Sequence, residues 1–143
     1  HRHLEKSNFN NMVIEIVPRL GVDLVWDKVK HLVAKTNDAV LNDRDVLKFL
    51  QDGTYVLWVA IDSDTKEIIT AMTVEFVLYP RDKVCRVVTI GGSKMSEWIQ
   101  HITTLEEWAK SLGCSYMDMY GRRGWLKILT DYNEDCILLR KKL

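Results

Sequence analysis

The sequence predicts an α/β domain of the α+β kind, with a mixed, mostly antiparallel central sheet of about six strands flanked by helices. Three observations predict it. Runs rich in Val, Ile, Thr and aromatic residues recur along the chain, bounded by Gly, Pro, Asn and Asp. Three of these runs, between Tyr55 and Ile90, are separated only by short polar turns, as an antiparallel meander requires. A long amphipathic stretch then separates the fourth run from the fifth, and a helical crossover makes its flanking strands parallel.

Each element follows from local pattern. Met12 to Val17 is β-branched and is ended by Pro18 and Gly21, which predicts the first strand. Asp23 is placed to cap a helix in which Val25, Val29, Leu32 and Val33 recur at helical spacing, fading near Thr36 and Asn37. Asn42 and Asp45 stand three apart at the head of a second short helix, and Gly53 is its left-handed stop. Tyr55 to Ile61 and Glu67 to Tyr79 form a hairpin about the turn 62–66, and Tyr79 to Asp82 turns the chain into a fourth strand, Val84 to Ile90. Gly91-Gly92-Ser93-Lys94 interrupts that strand, and Ser96 caps a helix whose stripe is Trp98, Ile102, Leu105, Ala109 and Leu112, closed by Gly113. Ser115 to Tyr120 reads as a fifth strand, Gly121 to Tyr132 as a short helix, and Cys136 to Lys141 as a sixth strand.

Composition bounds the function classes. The chain has 143 residues, 47% apolar and 28% charged, enough for one core and one domain. Twenty basic and twenty acidic side chains cancel, so net charge gives no support to a nucleic-acid partner or an anionic membrane. No apolar run approaches the roughly 20 residues needed to span a bilayer, and the start His1-Arg2-His3-Leu4-Glu5-Lys6 is polar, so a cytoplasmic location is expected. Cys85, Cys114 and Cys136 are far apart in strand-like patterns, which suits buried reduced thiols, and neither they nor the scattered histidines have chelating spacing, so no metal is expected. Residues 1–11 are set aside as a flexible extension or cloning remnant, leaving 12–143 as the domain.

The order strand, two helices, three-strand meander, long helix, strand, helix, strand resembles the GNAT (Gcn5-related N-acetyltransferase) fold across Met12 to Leu143. Two stretches add to the resemblance: Ile90-Gly91-Gly92-Ser93-Lys94-Met95-Ser96, and Gly121 to Tyr132. The second is similar to the closing helix of small GNAT-like proteins of tailed bacteriophages, a shortened form of the family. The resemblance implies an acyl-CoA-dependent N-acetyltransferase, with acetyl-CoA or CoA held between a splayed fourth and fifth strand. Its pyrophosphate is expected over the start of the following helix, at Ile90, Gly91, Gly92, Ser93 and Lys94, with Arg122 and Arg123 as further anion contacts. The sequence departs from the family's Gln/Arg-x-x-Gly-x-Gly/Ala loop, and the position of the family's thiolate-protonating Tyr falls near Lys127. These departures keep a second reading open, a catalytically degenerate interaction module or a protein associated with a phage virion, located in the virion or the host cytoplasm.

The candidate residues carry plainer readings beside these. Gly91-Gly92 also suits a turn or bulge, Lys94 a solvated lysine, and Gly121 to Gly124 a cap for a helix whose Trp125 fills the core. Tyr116, Asp118 and Tyr120 share one face of the fifth strand, where Tyr120 is a catalytic candidate and also a packing residue. Glu75 is the best carboxylate for a base, being charged amid Thr73, Val74, Phe76 and Val77, and an exposed sheet face accounts for it equally. The expected acceptor is an amine, on a small molecule or a protein; virion proteins are the partners under the second reading, and no membrane partner is expected.

Overall fold

The computed structural model describes residues 11–34, 41–121 and 123–143. The chain begins with strand β1, Met12–Val17, passes a 3-10 turn at Arg19–Gly21, and enters helices α1, Val22–Ala34, and α2, Asp43–Asp52. Strands β2, Val56–Asp62, β3, Ile68–Leu78, and β4, Lys83–Gly92, follow. The one-turn helix α3, Met95–Trp98, leads through a 3-10 turn at Ile99–His101 into α4, Ile102–Ser111; β5, Tyr116–Met119, and a 3-10 turn at Arg123–Lys127 complete the elements. The sheet runs in the order β1-β2-β3-β4-β5, antiparallel throughout except for the parallel β4–β5 pair.

Side chains alternate between the two faces of the sheet, and each face buries its own core. Under α1 and α2, Val22, Val29, Leu32, Val33, Val46 and Leu50 meet Leu57, Val59 and Ala71. On the opposite face Trp98, Ile102, Leu105 and Ala109 meet Trp58, Met72, Val74, Cys85 and Val87. Trp98, Leu57, Leu105 and Val87 are fully buried, each contributing about 1.5–3 kcal/mol or more through apolar area removed from water. This stripe is the one the sequence spacing predicts, but the expected single long helix is broken: Trp98 ends α3, a 3-10 turn at Ile99–His101 intervenes, only Ile102, Leu105 and Ala109 lie on α4, and Leu112 lies beyond its last turn and is exposed.

Local signals decide the ends. Asn42 Oδ1 accepts from the Asp45 amide at 3.0 Å and Asp45 Oδ2 accepts from the Asn42 amide at 3.1 Å, a complete capping box for α2. Gly53 ends α2 at φ 85° and Gly113 ends α4 at φ 89°, both in the left-handed region where glycine is unstrained.

Several expectations are corrected. Asp23 lies inside the first turn of α1 and accepts from Gln51 Nε2 at 3.0 Å rather than capping the helix. Ser96 is inside α3; the capping position belongs to Lys94, at φ 57° and with no side-chain bond. The expected helix from Gly121 to Tyr132 is only a 3-10 turn followed by looser turns, held because Leu129 is buried and the Tyr132 hydroxyl donates to Glu106 Oε2 at 2.7 Å. The sixth strand does not form, so among the described residues the sheet has five: residues 133–143 have no regular structure and are exposed, and Cys136 is exposed with them instead of buried. Periodicity alone gave that segment a strand, but a strand exists only where a neighbour accepts its hydrogen bonds. Residues 1–10 lie outside the described residues, and Asn11 already joins the fold, its carbonyl accepting from the Ser63 amide at 2.6 Å.

Candidate functional site

The geometry that matters arises where β4 outruns β5. Their parallel pairing matches Val84, Cys85, Arg86 and Val87 with Tyr116, Met117, Asp118 and Met119, and a last bond joins the Tyr120 amide to the Val87 carbonyl at 3.2 Å. Beyond Val87, β4 continues to Gly92 paired only with β3. The pairing therefore forks at Val87: among the described residues the β4 edge beyond it has no β5 strand opposite, and that unpaired side is the wedge.

A bulge lies at the start of the wedge. Val74 pairs with Val87 and Thr73 with Thr89, so Val88 is the extra residue. Inside the bulge the hydroxyls of Thr73 and Thr89, both buried, are 2.7 Å apart. The register after the bulge turns Thr89, Gly91 and Ser93 toward β3, the Ser93 amide bonding to the Ile69 carbonyl at 3.1 Å. By strict alternation the amide and carbonyl of Ile90 point the other way, into the wedge.

Gly91 and Gly92 do not interrupt the strand as expected; they are its last two rungs, opposite Ala71 and Thr70. Gly92 adopts φ 142°, and a Cβ there would collide with the Ile69 carbonyl oxygen and the Thr70 backbone. Glycine is required by this close approach to β3 rather than by an approach to a ligand. Ser93 is tied three ways: besides its amide, its carbonyl accepts from Thr70 Oγ1 at 3.0 Å and from Trp98 Nε1 at 3.3 Å. The indole of Trp98 is thus drawn back into the core. Lys94 is exposed at the head of the four-residue α3, and its carbonyl accepts from the Glu97 and Trp98 amides at 2.9 and 3.3 Å. Arg122 lies outside the described residues, and for Arg123 only its position at the start of the closing 3-10 turn is described.

On the α1 side of the sheet a polar group assembles beside the fork. Glu75 faces Arg86 across the β3–β4 pair, and Arg86 faces Asp118 across the β4–β5 pair. Arg86 Nη2 donates to Asp118 Oδ2 at 3.2 Å and to the Tyr79 hydroxyl at 3.3 Å, and its guanidinium lies over the Tyr120 ring at 5.4 Å. Burial works against the arginine charge, but the bonds to Tyr79 and Asp118 and the fields of Tyr120 and Asp118 more than offset it and raise its pKa. Arg86 Nε is buried without a hydrogen-bond partner among the described residues. Tyr55 joins from behind: its phenol pKa is raised first by burial and then by the charges of Glu75, Tyr120 and Asp45.

Sequence reasoning placed Tyr116, Asp118 and Tyr120 on one face of the fifth strand and named Glu75 apart from them; Arg86 lies between Glu75 and Asp118 and over the Tyr120 ring, while Tyr116 is more than half exposed at the start of β5. Arg86 was missed, although its signal was present as one guanidinium between the apolar Cys85 and Val87 of a strand flanked by two others. A separate cleft of about 230 Å³ lies between the end of β1 and the start of β2, lined by Val17, Arg19, Val22, Leu50, Tyr55 and Leu57, and not in the wedge.

No family model matches the chain, and no curated protein matches it by sequence. Solved structures do. A GNAT family acetyltransferase of Staphylococcus aureus superposes with a TM-score of 0.65 at 14% identity, over 93% of this chain and 99% of that one. Glucosamine-6-phosphate N-acetyltransferase from Arabidopsis thaliana gives 0.64 at 13% identity, over 92% and 97%. A transcriptional regulator from Bacillus halodurans gives 0.61 at 16% identity, over 92% and 99%. The chain therefore has the fold of the GNAT acetyltransferases, and the third neighbour illustrates that one fold carries more than one role.

Proposed function

We propose that this chain is an acyl-CoA-dependent N-acetyltransferase of the GNAT type, acting on an amine acceptor. The observation that carries the reading is the end of β4–β5 pairing at Val87, with β4 running on to Gly92. An extended amide-bearing arm such as pantetheine fits that edge, because Ile90 offers one donor and one acceptor in the register of an added strand. The pyrophosphate end fits less fully: the exposed Lys94 is beside it, whereas the Ser93 amide is already bonded to Ile69 and the Glu97 and Trp98 amides to the Lys94 carbonyl. When bound, acyl-CoA supplies an activated thioester carbonyl for attack by an amine.

The chain's own residues would do the remaining work. Glu75 and Asp118 stand in register on either side of Arg86, Asp118 bonded to it, and two carboxylates beside one guanidinium would attract an ammonium group and accept its proton. Tyr120, where the strands part, is positioned to hold or give a proton at the mouth of the wedge. Arg86 keeps Asp118 and Tyr120 in place. Binding would orient the reactants, which by itself supplies much of the rate of such transfers. Thermal denaturation with acetyl-CoA and with CoA tests the reading: a rise of several degrees in Tm is expected, and no shift at millimolar cofactor overturns it.

A second reading, an interaction module that keeps the fold without catalysis, including association with a phage particle, is favoured by the threefold tie on Ser93, which removes one amide from any phosphate cradle. Acetyl transfer to any member of a panel of primary amines counts against it.

A further inference from the structure

A row of four side chains crosses the face of the sheet that α1 and α2 partly cover. Glu75, Arg86 and Asp118 stand opposite one another on β3, β4 and β5. Tyr55 continues the row: it precedes the Val56–Val74 pair by one residue, which sets it opposite Glu75, on the face it shares with Leu57 and Val59. The row deepens inward. The Asp118 side chain is about half exposed, that of Arg86 is mostly buried, and Tyr55 is only 8% exposed, its ring packed on Phe49 of α2 with centroids 5.0 Å apart.

The inner half of the row lacks partners within the fold. Arg86 Nη2 bonds to Asp118 and Tyr79, while Nε is buried and makes no hydrogen bond among the described residues. Among the described residues, no hydrogen bond or ion pair reaches the Glu75 carboxylate, and none involves the Tyr55 hydroxyl. Buried polar groups almost always have a partner, so three neighbours lacking one at the same place mark a site whose partner arrives from outside.

The types of the three groups define that partner. Asp118 already matches the charge of Arg86, so Glu75 is the uncompensated charge of the row and calls for a cation with N–H donors, an ammonium group. Tyr55 keeps its proton, because burial and the charges of Glu75, Tyr120 and Asp45 raise its pKa, and its neutral oxygen can accept from a second ammonium hydrogen. Arg86 Nε can only donate, so it requires an acceptor oxygen. Adjacent strands are about 4.8 Å apart, so the oxygen must be close to the ammonium in the ligand. A ligand carboxylate would stand between Glu75 and Asp118 and be repelled, which leaves a neutral oxygen.

We propose that Tyr55, Glu75 and Arg86 form a binding site for a primary ammonium group that carries a neutral oxygen acceptor on the neighbouring carbon. The oxygen is a hydroxyl in an amino alcohol and a carbonyl in an α-amino amide. This names the acceptor class for the proposed transfer and rests on that reading for its purpose, whereas the binding itself needs no cofactor.

Titration of the isotope-labelled full chain near pH 6, without CoA, tests it through the amide chemical shifts of Tyr55, Glu75 and Arg86. The probes are 2-aminoethanol, glycinamide and n-propylamine. The two oxygen-bearing amines, or the one whose oxygen fits, should bind about tenfold more tightly than propylamine, as expected for one hydrogen bond to a charged donor. Equal affinity for all three overturns the proposal, and so does the absence of shifts at these residues with every probe. Tyr55→Phe keeps the ring on Phe49 and removes a hydroxyl that the fold does not use; it should leave the urea midpoint unchanged and weaken the favoured probe about fivefold. A lowered midpoint with unaltered binding makes the hydroxyl structural and overturns its assignment. Glu75→Gln should abolish binding of all probes. Probe binding in a chain whose Tm does not respond to acetyl-CoA or CoA would keep this site and remove the transferase reading, so the two fail separately.

Discussion

Arg86 Nη2 lies 3.2 Å from Asp118 Oδ2, across the rung of the β4–β5 pair just before the strands part. The arginine side chain is mostly buried and the aspartate about half exposed, so the pair sits at a boundary between core and cleft. Such an ion pair contributes little to stability, because solvent screens its exposed half. Its position beside the fork suits it to a role in binding.

Asp118→Asn is therefore expected to change folding stability by less than about 1 kcal/mol while lowering kcat/KM for an amine acceptor by about tenfold or more. Chemical denaturation and acetyl transfer to a panel of primary amines measure the two effects. A loss of stability without a loss of transfer would make Asp118 a packing residue.

Gly92→Ala is expected to destabilise the fold by about 2 kcal/mol or more, since φ 142° is strained for any side chain and the new Cβ collides with β3 backbone that cannot yield. Urea denaturation checks this. The same substitution at Gly113, where a Cβ meets nothing within 4 Å, costs only the left-handed backbone strain, about 1 kcal/mol.

Cys85 is fully buried, and burial, with smaller contributions from Cys114 and Asp118, pushes its thiol from an ordinary 9.0 up to about 12. Between these values the unfolded chain loses the thiol proton while the folded chain retains it. Stability is thus fully present below pH 9 and falls as pH rises, by up to about 1.4 kcal/mol per pH unit. Tyr132, raised by burial and by Glu106, adds a loss of the same sign above pH 10. Denaturation midpoints measured from pH 8 to 11 should show this slope, and Cys85→Ala should flatten it between pH 9 and 10.

Asn42→Ala removes one half of the capping box and is expected to cost about 1 kcal/mol, read from the urea midpoint. The Asn42–Asp45 spacing was legible in the sequence because a cap is a local event, decided within four residues. The meander, Gly53, Gly113 and the apolar stripe of α4 were legible for the same reason. Gly91 and Gly92 were misread because they pair with Ala71 and Thr70 of β3, and the requirement for glycine at Gly92 comes from Thr70 and Ile69, distant residues that the local sequence does not display. Arg86 was overlooked because its partners lie on β5 and in the turn after β3, and only strand pairing reveals them. The sixth strand was expected from pattern, while a strand forms only by pairing with a neighbouring edge, and residues 133–143 do not pair with the outer edge of β5.

The account rests on the edge of β4 beyond Val87 being a seat for an extended ligand, and hydrogen exchange at the Ile90 amide measures that seat directly. Addition of saturating CoA is expected to slow exchange at Ile90 by about tenfold or more, leaving Val74 and Val87 in the paired core unchanged. Exchange at Ile90 that is the same with and without CoA would contradict the account.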